Sequence, residues 1–302
     1  MDPISHIKTY KDTSFYLILK AQELGYEIHY LEWSDLFIDN GIAKSKTKLL
    51  AVKDQAENYF EFLAEQTIDL SSLDFILMRK DPPFDIRYIY VTQILEMAEK
   101  SGVKVVNKPA SLRDCNEKLF ATQFAEFGPE TLVSADKTRL QMFIKQQQKS
   151  VLKPLDAMGG QSIFLVDQND VNTNVIIDLL TENGEQFVMA QRFIPEVIHG
   201  DKRIFLVHGE AIPFALARFP MAGEIRANLA AGGTGKVEPL NERDFAICAA
   251  LKPTLIEKDL CFVGIDVIGG YLTEINVTSP TGAREIAKHS DIDIAGLLFS
   301  GI

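Results

Sequence analysis

Cysteine is scarce: Cys115, Cys248 and Cys261 are the only three in 302 residues, far apart and odd in number. No Cys-x-x-Cys pair occurs, and the five histidines have no zinc-like spacing, which argues against a disulfide scaffold and a thiolate metal site. Thiols used this way read as buried groups in a reducing compartment. Long apolar runs are also missing. The longest, Phe262–Ile268 and residues 296–302, fall well short of the ~18–20 residues that span a bilayer. The opening Met1-Asp2-Pro3-Ile4-Ser5-His6 lacks a basic start followed by an apolar core, so no secretory signal is read there. The Asn276-Val277-Thr278 sequon is discounted for the same reason. Positive charge is in deficit, with 31 Lys+Arg against 42 Asp+Glu and a formal net charge of −11. General nucleic-acid binding needs clustered Lys and Arg, so that class is set aside. What remains is 46% hydrophobic and 24% charged, the balance of a folded soluble protein. The length suggests about two domains, and the expectation is a cytoplasmic enzyme with neither membrane nor nucleic-acid partner.

No internal repeat or low-complexity tract appears. Thr13 or Asp12 can cap a helix over residues 14–24, with Gly25 as its stop. A strand-like alternation over 26–31 follows, then a Lys-rich hairpin region over 40–52 and a helix around 56–66. Residues 75–78 read as a short buried strand, 87–101 as a helix closed by Gly102, and 103–106 as another strand. Strands alternating with helices imply a parallel sheet wrapped by helices. From about Cys115 the character changes. Helices over 116–126 and Lys137–Gln147 are interleaved with strands at 131–133 and 150–153. Strand candidates at 163–166, 186–193, 203–207 and 213–218 come next, then a Gly/Ala-rich loop. A helix over 242–258 and a hairpin pairing 262–268 with 271–277 close the pattern. The reading is α/β over residues 1–114 and α+β, mostly antiparallel, over 115–302.

Three features carry chemistry. The run from Lys153 to Ser162 places Gly159 and Gly160 between two strands, where bare backbone N–H groups can cradle an anion beside the Lys153 charge. A Gly-Gly hairpin loop explains it equally well, and no Gly-x-x-x-x-Gly-Lys-Ser/Thr phosphate loop occurs anywhere. Second, Glu274 and Asn276 share a strand face, since side chains alternate. Asp266 joins them only if the hairpin register has an even residue sum. A three-residue loop at Ile268-Gly269-Gly270 provides this, whereas a strict two-residue Gly269-Gly270 turn puts Asp266 on the wrong side. Oxygen ligands of this kind suit Mg²⁺ beside nucleotide phosphates. Third, cations fall at loop or strand ends: Arg79, Lys80, Lys118, Lys202, Arg203, Arg218 and Arg226. Arg226 opens the small-residue run through Asn228 to Gly233, and residues 219–234 are expected to form a mobile lid.

Several blocks, in order along nearly the whole chain, together resemble the bacterial glutathione synthetases of the ATP-grasp superfamily. They are Leu77-Met78-Arg79-Lys80-Asp81-Pro82-Pro83-Phe84-Asp85, Asn107-Lys108-Pro109, Leu112 to Leu119, Leu152 to Gly160, Asn228 to Gly233, and Thr273 to Thr281. Lys118, Lys153 and Glu274-x-Asn276 alone would indicate only some ATP-grasp ligase.

The resemblance implies an N-terminal parallel-sheet domain followed by a two-subdomain ATP-grasp fold, with ATP held between the subdomains. It implies Lys118 and Lys153 on the nucleotide and its phosphates, and Gly159, Gly160, Gln161 and Ser162 as a small loop over them. Gln191, Arg192, Phe193 and Ile194 fall on the adenine segment and Asp201 near the ribose. Asp266, Glu274 and Asn276 would hold Mg²⁺, with Mn²⁺ as the alternative ion. Arg203, Arg226 and Asn276 carry the catalytic roles, and Arg79, Arg218, Asn228, Ser279 and Thr281 contact substrate. The implied reaction transfers the γ-phosphoryl group of ATP to the cysteinyl carboxylate of γ-glutamylcysteine. The amine of glycine then attacks the acyl phosphate, giving glutathione, ADP and phosphate, in a homo-oligomeric enzyme.

Two alternatives stay open: another ATP-grasp carboxylate–amine ligase, and a degenerate homologue that binds nucleotide without turnover. Ala157 stands where the family often has glycine, and residues 296–302 look clipped. The family also opens with a strand running into Met-Asp-Pro, whereas this chain opens at Met1-Asp2-Pro3. The expectation is therefore an apolar, β-branched segment of about one strand's length before Met1. A chain lacking it is expected to be poorly stable or to fill the slot with another segment.

Overall fold

The computed structural model describes residues 1–156, 161–221 and 234–302. Helix α1 (Thr13–Glu23) is capped by Asp12, whose carboxylate accepts the Phe15 N–H at 2.7 Å, and the chain reverses at Gly25 with φ +86°. Thr13, the other capping candidate, turns away. Its hydroxyl oxygen accepts the N–H groups of Gly282 and Ala283 at 3.1 and 3.3 Å, capping a helix far along the chain.

The 26–31 alternation yields only a two-residue strand, β1 (His29–Tyr30). β2 (Leu36–Asp39) and β3 (Ile42–Val52) meet at a tight Asn40-Gly41 turn, both residues at positive φ. The helix expected over 56–66 is a strand instead, β4 (Phe60–Asp69), paired antiparallel along β3 from Lys44↔Asp69 to Val52↔Phe60. Ala, Glu, Gln and Leu there favour a helix locally. Cross-strand partners override that preference: Lys46 reaches Glu65 at 2.6 Å and the Lys48 ammonium lies 4.8 Å from the Phe62 ring centroid.

β5 (Phe75–Leu77), α2 (Ile86–Lys100) and β6 (Lys104–Val106) form the expected strand–helix–strand unit, and β5–β6 is the parallel ladder of the described residues. The parallel sheet is thus smaller than the alternation implied, and an antiparallel sheet of β1 to β4 stands beside it. Beside β5 lies a cavity of about 300 Å³. Leu17, Ile18 and Ala21 of α1, Val91 and Leu95 of α2, and residues 26–31 line it.

After α3 (Pro109–Asp114) and α4 (Glu117–Ala121) come two antiparallel sheets. The smaller has the order β7-β10-β8-β9, from β7 (Thr131–Ser134), β8 (Lys149–Pro154), β9 (Phe164–Asp167) and β10 (Val188–Arg192). Helices α5 (Lys137–Gln147) and α6 (Thr173–Leu180) cover it, and Leu140, Ile144, Leu152 and Ile177 form its own core. The larger has the order β13-β12-β11-β14-β15. Its strands are β11 (Asp201–Val207), β12 (Glu210–Phe219), β13 (Thr234–Pro239), β14 (Phe262–Ile268) and β15 (Tyr271–Asn276). β13 begins where the sequence suggested loop; its pairing from Phe214↔Pro239 to Phe219↔Thr234 supplies what local composition does not. Helices α7 (Glu242–Glu257), α8 (Ala283–Ser290) and α9 (Ile294–Phe299) complete the chain.

One continuous core joins the parallel unit to the large sheet: Ile76, Leu95 and Val105 belong to the same buried cluster as Leu206, Ile247 and Ile275. Asn107 staples the junction. Its Nδ2 donates to Phe262 O at 2.9 Å and Val277 O at 2.7 Å, while its Oδ1 accepts the Phe262 N–H at 2.9 Å. Each buried group left without a partner costs about 1–3 kcal/mol. Asn107→Ala is therefore expected to lower unfolding free energy by about 3 kcal/mol or more, read as a lower urea midpoint; an unchanged midpoint would refute the staple.

Candidate active site

The last hairpin sets the phase of the site. Ile268 pairs with Tyr271 across a strict two-residue turn, with Gly269 at φ +57° and Gly270 at φ +81°. That corrects the three-residue loop expected from the sequence. The even register arises by another route. The pairing shifts between Asp266 and Val267, leaving Thr273 as a bulge, so that Asp266 faces Glu274 and Gly264 faces Asn276. The Thr273 hydroxyl donates to Asp266 O at 3.1 Å and pins the bulge. Asp266, Glu274 and Asn276 therefore share one face after all.

Around them lies a buried ionic network. Arg203 on β11 grips Asp266 in a fork, Nε to Oδ1 at 2.6 Å and Nη2 to Oδ2 at 3.0 Å. Arg218 on β12 bridges Asp201 at 2.6 Å and Asp266 at 2.9 Å. Asn276 Nδ2 lies 3.4 Å from Asp266 Oδ2. Burial alone would raise the Asp266 carboxyl, but the two guanidinium groups outweigh it and hold it well below the usual carboxylate range. Gly264 makes room for the fork. A Cβ there would stand 2.7 Å from Pro280 Cβ and 2.9 Å from Arg203 Cδ.

Glu274 is served from the other side. Lys153 on β8 places its ammonium 3.4 Å from Oε1, and Lys118 on α4 places its own at 3.8 Å. Burial opposes the Glu274 charge, yet the two lysines together hold its carboxyl below the ordinary range. Burial pulls the Lys153 ammonium down. Lys118 is held by its helix start, where Asn116 Oδ1 accepts the Lys118 N–H at 3.1 Å and Asn116 Nδ2 donates to Leu155 O at 3.0 Å.

Other candidates fall at varying distances. Gln191, buried on β10, donates to Thr131 Oγ1 at 3.2 Å, and Arg192 turns outward to Glu130 at 2.5 Å and the Tyr271 ring at 4.9 Å. The Phe193 N–H donates to Lys149 O, and Ile194 lies beneath the hairpin tip, 3.1 Å from a Cβ position at Gly269. Arg79 is buried, donating to Ser14 Oγ at 3.1 Å and Pro280 O at 2.9 Å. Burial raises the Asp81 carboxyl, with the neighbouring Ser279 side chain opposing, and Thr281 offers its carbonyl to Arg203 Nη1 at 3.1 Å. Gln161 and Ser162 sit exposed in the turn before β9. Gly159, Gly160, Arg226, Asn228 and most of the proposed lid lie outside the described residues.

Sequence reasoning missed Glu117. Its Oε1 accepts the Thr278 hydroxyl at 2.6 Å, tying α4 to the segment after β15. Its only sequence signal is its place between the capping Asn116 and Lys118. Two carboxylates and an amide oxygen on one face of the β14–β15 hairpin are hard oxygen donors fitting Mg²⁺ in kind and number.

Matches to known proteins agree with this architecture. Residues 1–113 match the family model described as prokaryotic glutathione synthetase, N-terminal domain, and residues 117–291 the corresponding ATP-grasp domain. The chain belongs to the prokaryotic glutathione synthetase family. Glutathione synthetase of Vibrio vulnificus (strain YJ016) is 54% identical over 302 residues, covering 100% of this chain and 95% of the relative. That of Escherichia coli O157:H7 is 52% identical, with 100% and 96% covered. Among solved structures, the ATP-grasp ligase PsnB with its minimal precursor superposes with a TM-score of 0.63 at 15% identity, over 95% of this chain and 93% of that one. D-alanine–D-alanine ligase from Bacillus anthracis gives 0.52 at 14% identity, over 75% and 78%. These two show the shared ATP-grasp fold. Family membership makes the chain an ATP-dependent ligase.

Glu117 yields a pH test. Burial pushes its carboxyl up to about 6 from 4.5, with the Glu274 charge adding and Thr278 and Lys118 opposing. The folded protein thus binds this proton more tightly than the unfolded chain. Ionised Glu117 costs stability above about pH 6, and the cost fades as pH falls toward the unfolded value. Glu117→Gln is expected to gain stability over wild type by up to about 2 kcal/mol at neutral pH, less at about pH 5. Urea midpoints at the two pH values check it; equal differences at both would refute the shifted carboxyl.

Proposed function

We propose that this chain ligates γ-glutamylcysteine to glycine, with ATP consumed through an acyl phosphate. The observation carrying the reading is the network of Lys118, Lys153, Arg203 and Arg218 against Asp201, Asp266 and Glu274, at the junction of the small and large sheets. Phosphoryl transfer needs positioned charge more than a protein nucleophile. In this reading Lys118 and Lys153 take the phosphates, with Gly159, Gly160, Gln161 and Ser162 over them. Gln191, Arg192, Phe193 and Ile194 border the adenine. Asp201 Oδ1, buried and without a hydrogen-bond partner among the described residues, is an acceptor suited to a ribose hydroxyl.

Asp266, Glu274 and Asn276 would hold Mg²⁺ or Mn²⁺, which supplies charge neutralisation at the phosphates. Arg203 and Arg226 stabilise the charge that develops as the cysteinyl carboxylate takes the phosphoryl group and ADP leaves. Arg79, Arg218, Asn228, Ser279 and Thr281 orient the peptide and glycine. The amine of glycine then attacks the acyl carbon, the amide bond forms and phosphate departs. Excluding water matters here, because it would hydrolyse the acyl phosphate. The division at residues 114/115, a cytoplasmic location and a homo-oligomeric state belong to the same proposal.

ADP release should require γ-glutamylcysteine and rise to full turnover only with glycine. Faster ADP release with another carboxylate–amine pair would favour a different ligase. Glu274→Gln and Asn276→Ala are each expected to cut turnover by about 100-fold or more while leaving the fold intact by circular dichroism. Near-normal activity with unaltered Mg²⁺ dependence would remove the metal assignment.

A further inference from the structure

The loop after β5 carries two opposite charges that the protein itself leaves unanswered. Among the buried cations of the described residues, Lys118, Lys153, Arg203 and Arg218 each face a carboxylate. Arg79 does not. It is 7% exposed, donates from Nε to Ser14 and from Nη2 to Pro280 O, and closes no ion pair among the described residues. Burial pulls its guanidinium down, and Asp81, two positions on, is the charge that most opposes this. Asp81 is equally alone. Lys80 is taken by Asp2 at 2.6 Å, and the Asp81 N–H donates to the other Asp2 oxygen at 2.8 Å. The backbone is thereby fixed, while the half-buried Asp81 carboxylate closes no ion pair among the described residues. Tyr88 is a third orphan. It is 2% exposed, its hydroxyl has no hydrogen-bond partner, and with Lys80 and Asp81 it lines a cavity of about 90 Å³. Buried charge without a partner is strongly disfavoured. A cation missing beside Asp81 and an anion missing beside Arg79 together describe a zwitterion.

In the ligation proposed above, the cysteinyl carboxylate is consumed, and the glycine nitrogen must lose its charge before it attacks. The glutamyl α-ammonium is the substrate cation that persists unchanged throughout, and an α-carboxylate stands on the same carbon. We infer that Asp81 and Arg79 read this α-amino acid head of the γ-glutamyl group, Asp81 taking the ammonium and Arg79 the carboxylate. The pair follows the carboxyl end of β5, where open sheets take ligands. The Arg79 bond to Pro280 O ties it to the segment just past the acidic hairpin. This rests on the ligase reading and adds to it the part of the peptide by which the substrate is chosen.

The test uses the full chain with ATP, glycine and three synthetic peptides. Glutarylcysteine lacks only the α-ammonium of γ-glutamylcysteine, and 4-aminobutyrylcysteine lacks only the α-carboxylate. Wild type is expected to lose about tenfold or more in kcat/KM on each analogue. Asp81→Asn should lose a similar factor on γ-glutamylcysteine, carried by KM, and nothing further on glutarylcysteine. The KM values of ATP and glycine should not move. Wild type using either analogue as well as γ-glutamylcysteine would overturn the assignment without any variant. An equal loss for Asp81→Asn on γ-glutamylcysteine and glutarylcysteine would make Asp81 structural, and a rise in the glycine KM alone would give the pair to glycine. Either result overturns it too. In these cases wild type still forms glutathione from γ-glutamylcysteine, and the ligase reading stands. Wild type releasing no ADP with γ-glutamylcysteine and glycine would remove that reading and this one together.

Discussion

A carboxylate buried between two arginines is the constraint on which this architecture turns. Asp266 is 5% exposed, and its oxygens take Arg203 in a fork and Arg218 alongside. Removing one partner from such a group typically costs about 3–5 kcal/mol, because the remaining charge is stranded. The three residues come from adjacent strands of one sheet, β12, β11 and β14. Strand order, register and the bare Gly264 backbone must all be right before the pairs can close. The large sheet is thereby both scaffold and electrostatic unit.

The rest of the molecule brings further charge to that sheet. The small sheet contributes Lys153 from β8, and α4 contributes Lys118, its first turn fixed by the Asn116 cap. The parallel unit is anchored by its shared core and by Asn107, which occupies a strand carbonyl, a strand N–H and the carbonyl just past β15. Arg79 extends this junction, since its guanidinium reaches Ser14 of α1 and the Pro280 carbonyl beyond the hairpin. The segment from Thr278 to Thr281 is thus gripped from three sides, by Glu117, Arg79 and Arg203.

Elements with strong local signals were legible in the sequence. α5 has the expected bounds because Asp136 caps it and Leu140 and Ile144 mark its buried stripe. α1, α2 and α7 begin at side-chain caps and match within a residue or two. Where identity is set by a distant partner, local reading failed. β4 looks helical until β3 is laid beside it, and β13 looks like loop until β12 is. The common face of Asp266, Glu274 and Asn276 was readable as a requirement. Its means were not, because a bulge at Thr273 leaves no mark in residue spacing. Glu117 went unnoticed because its importance comes from Thr278, 161 residues away.

The Thr273 bulge separates two jobs that a hairpin usually assigns to its turn. Reversal is handled by Gly269 and Gly270, while the phase of the acidic residues is fixed one step further along β15. Drawing Thr273 into the ladder opposite Asp266 would leave the reversal intact but rotate the rest of β15 by one position. Ile275, fully buried now, would swing into the charged cleft, and Glu274 and Asn276 would face the apolar core. Changes at the tip that keep Ile268 opposite Tyr271 leave that phase alone. Turn length is therefore free to vary at the glycines, whereas pairing the bulged Thr273 would dismantle the acidic face a few ångströms away.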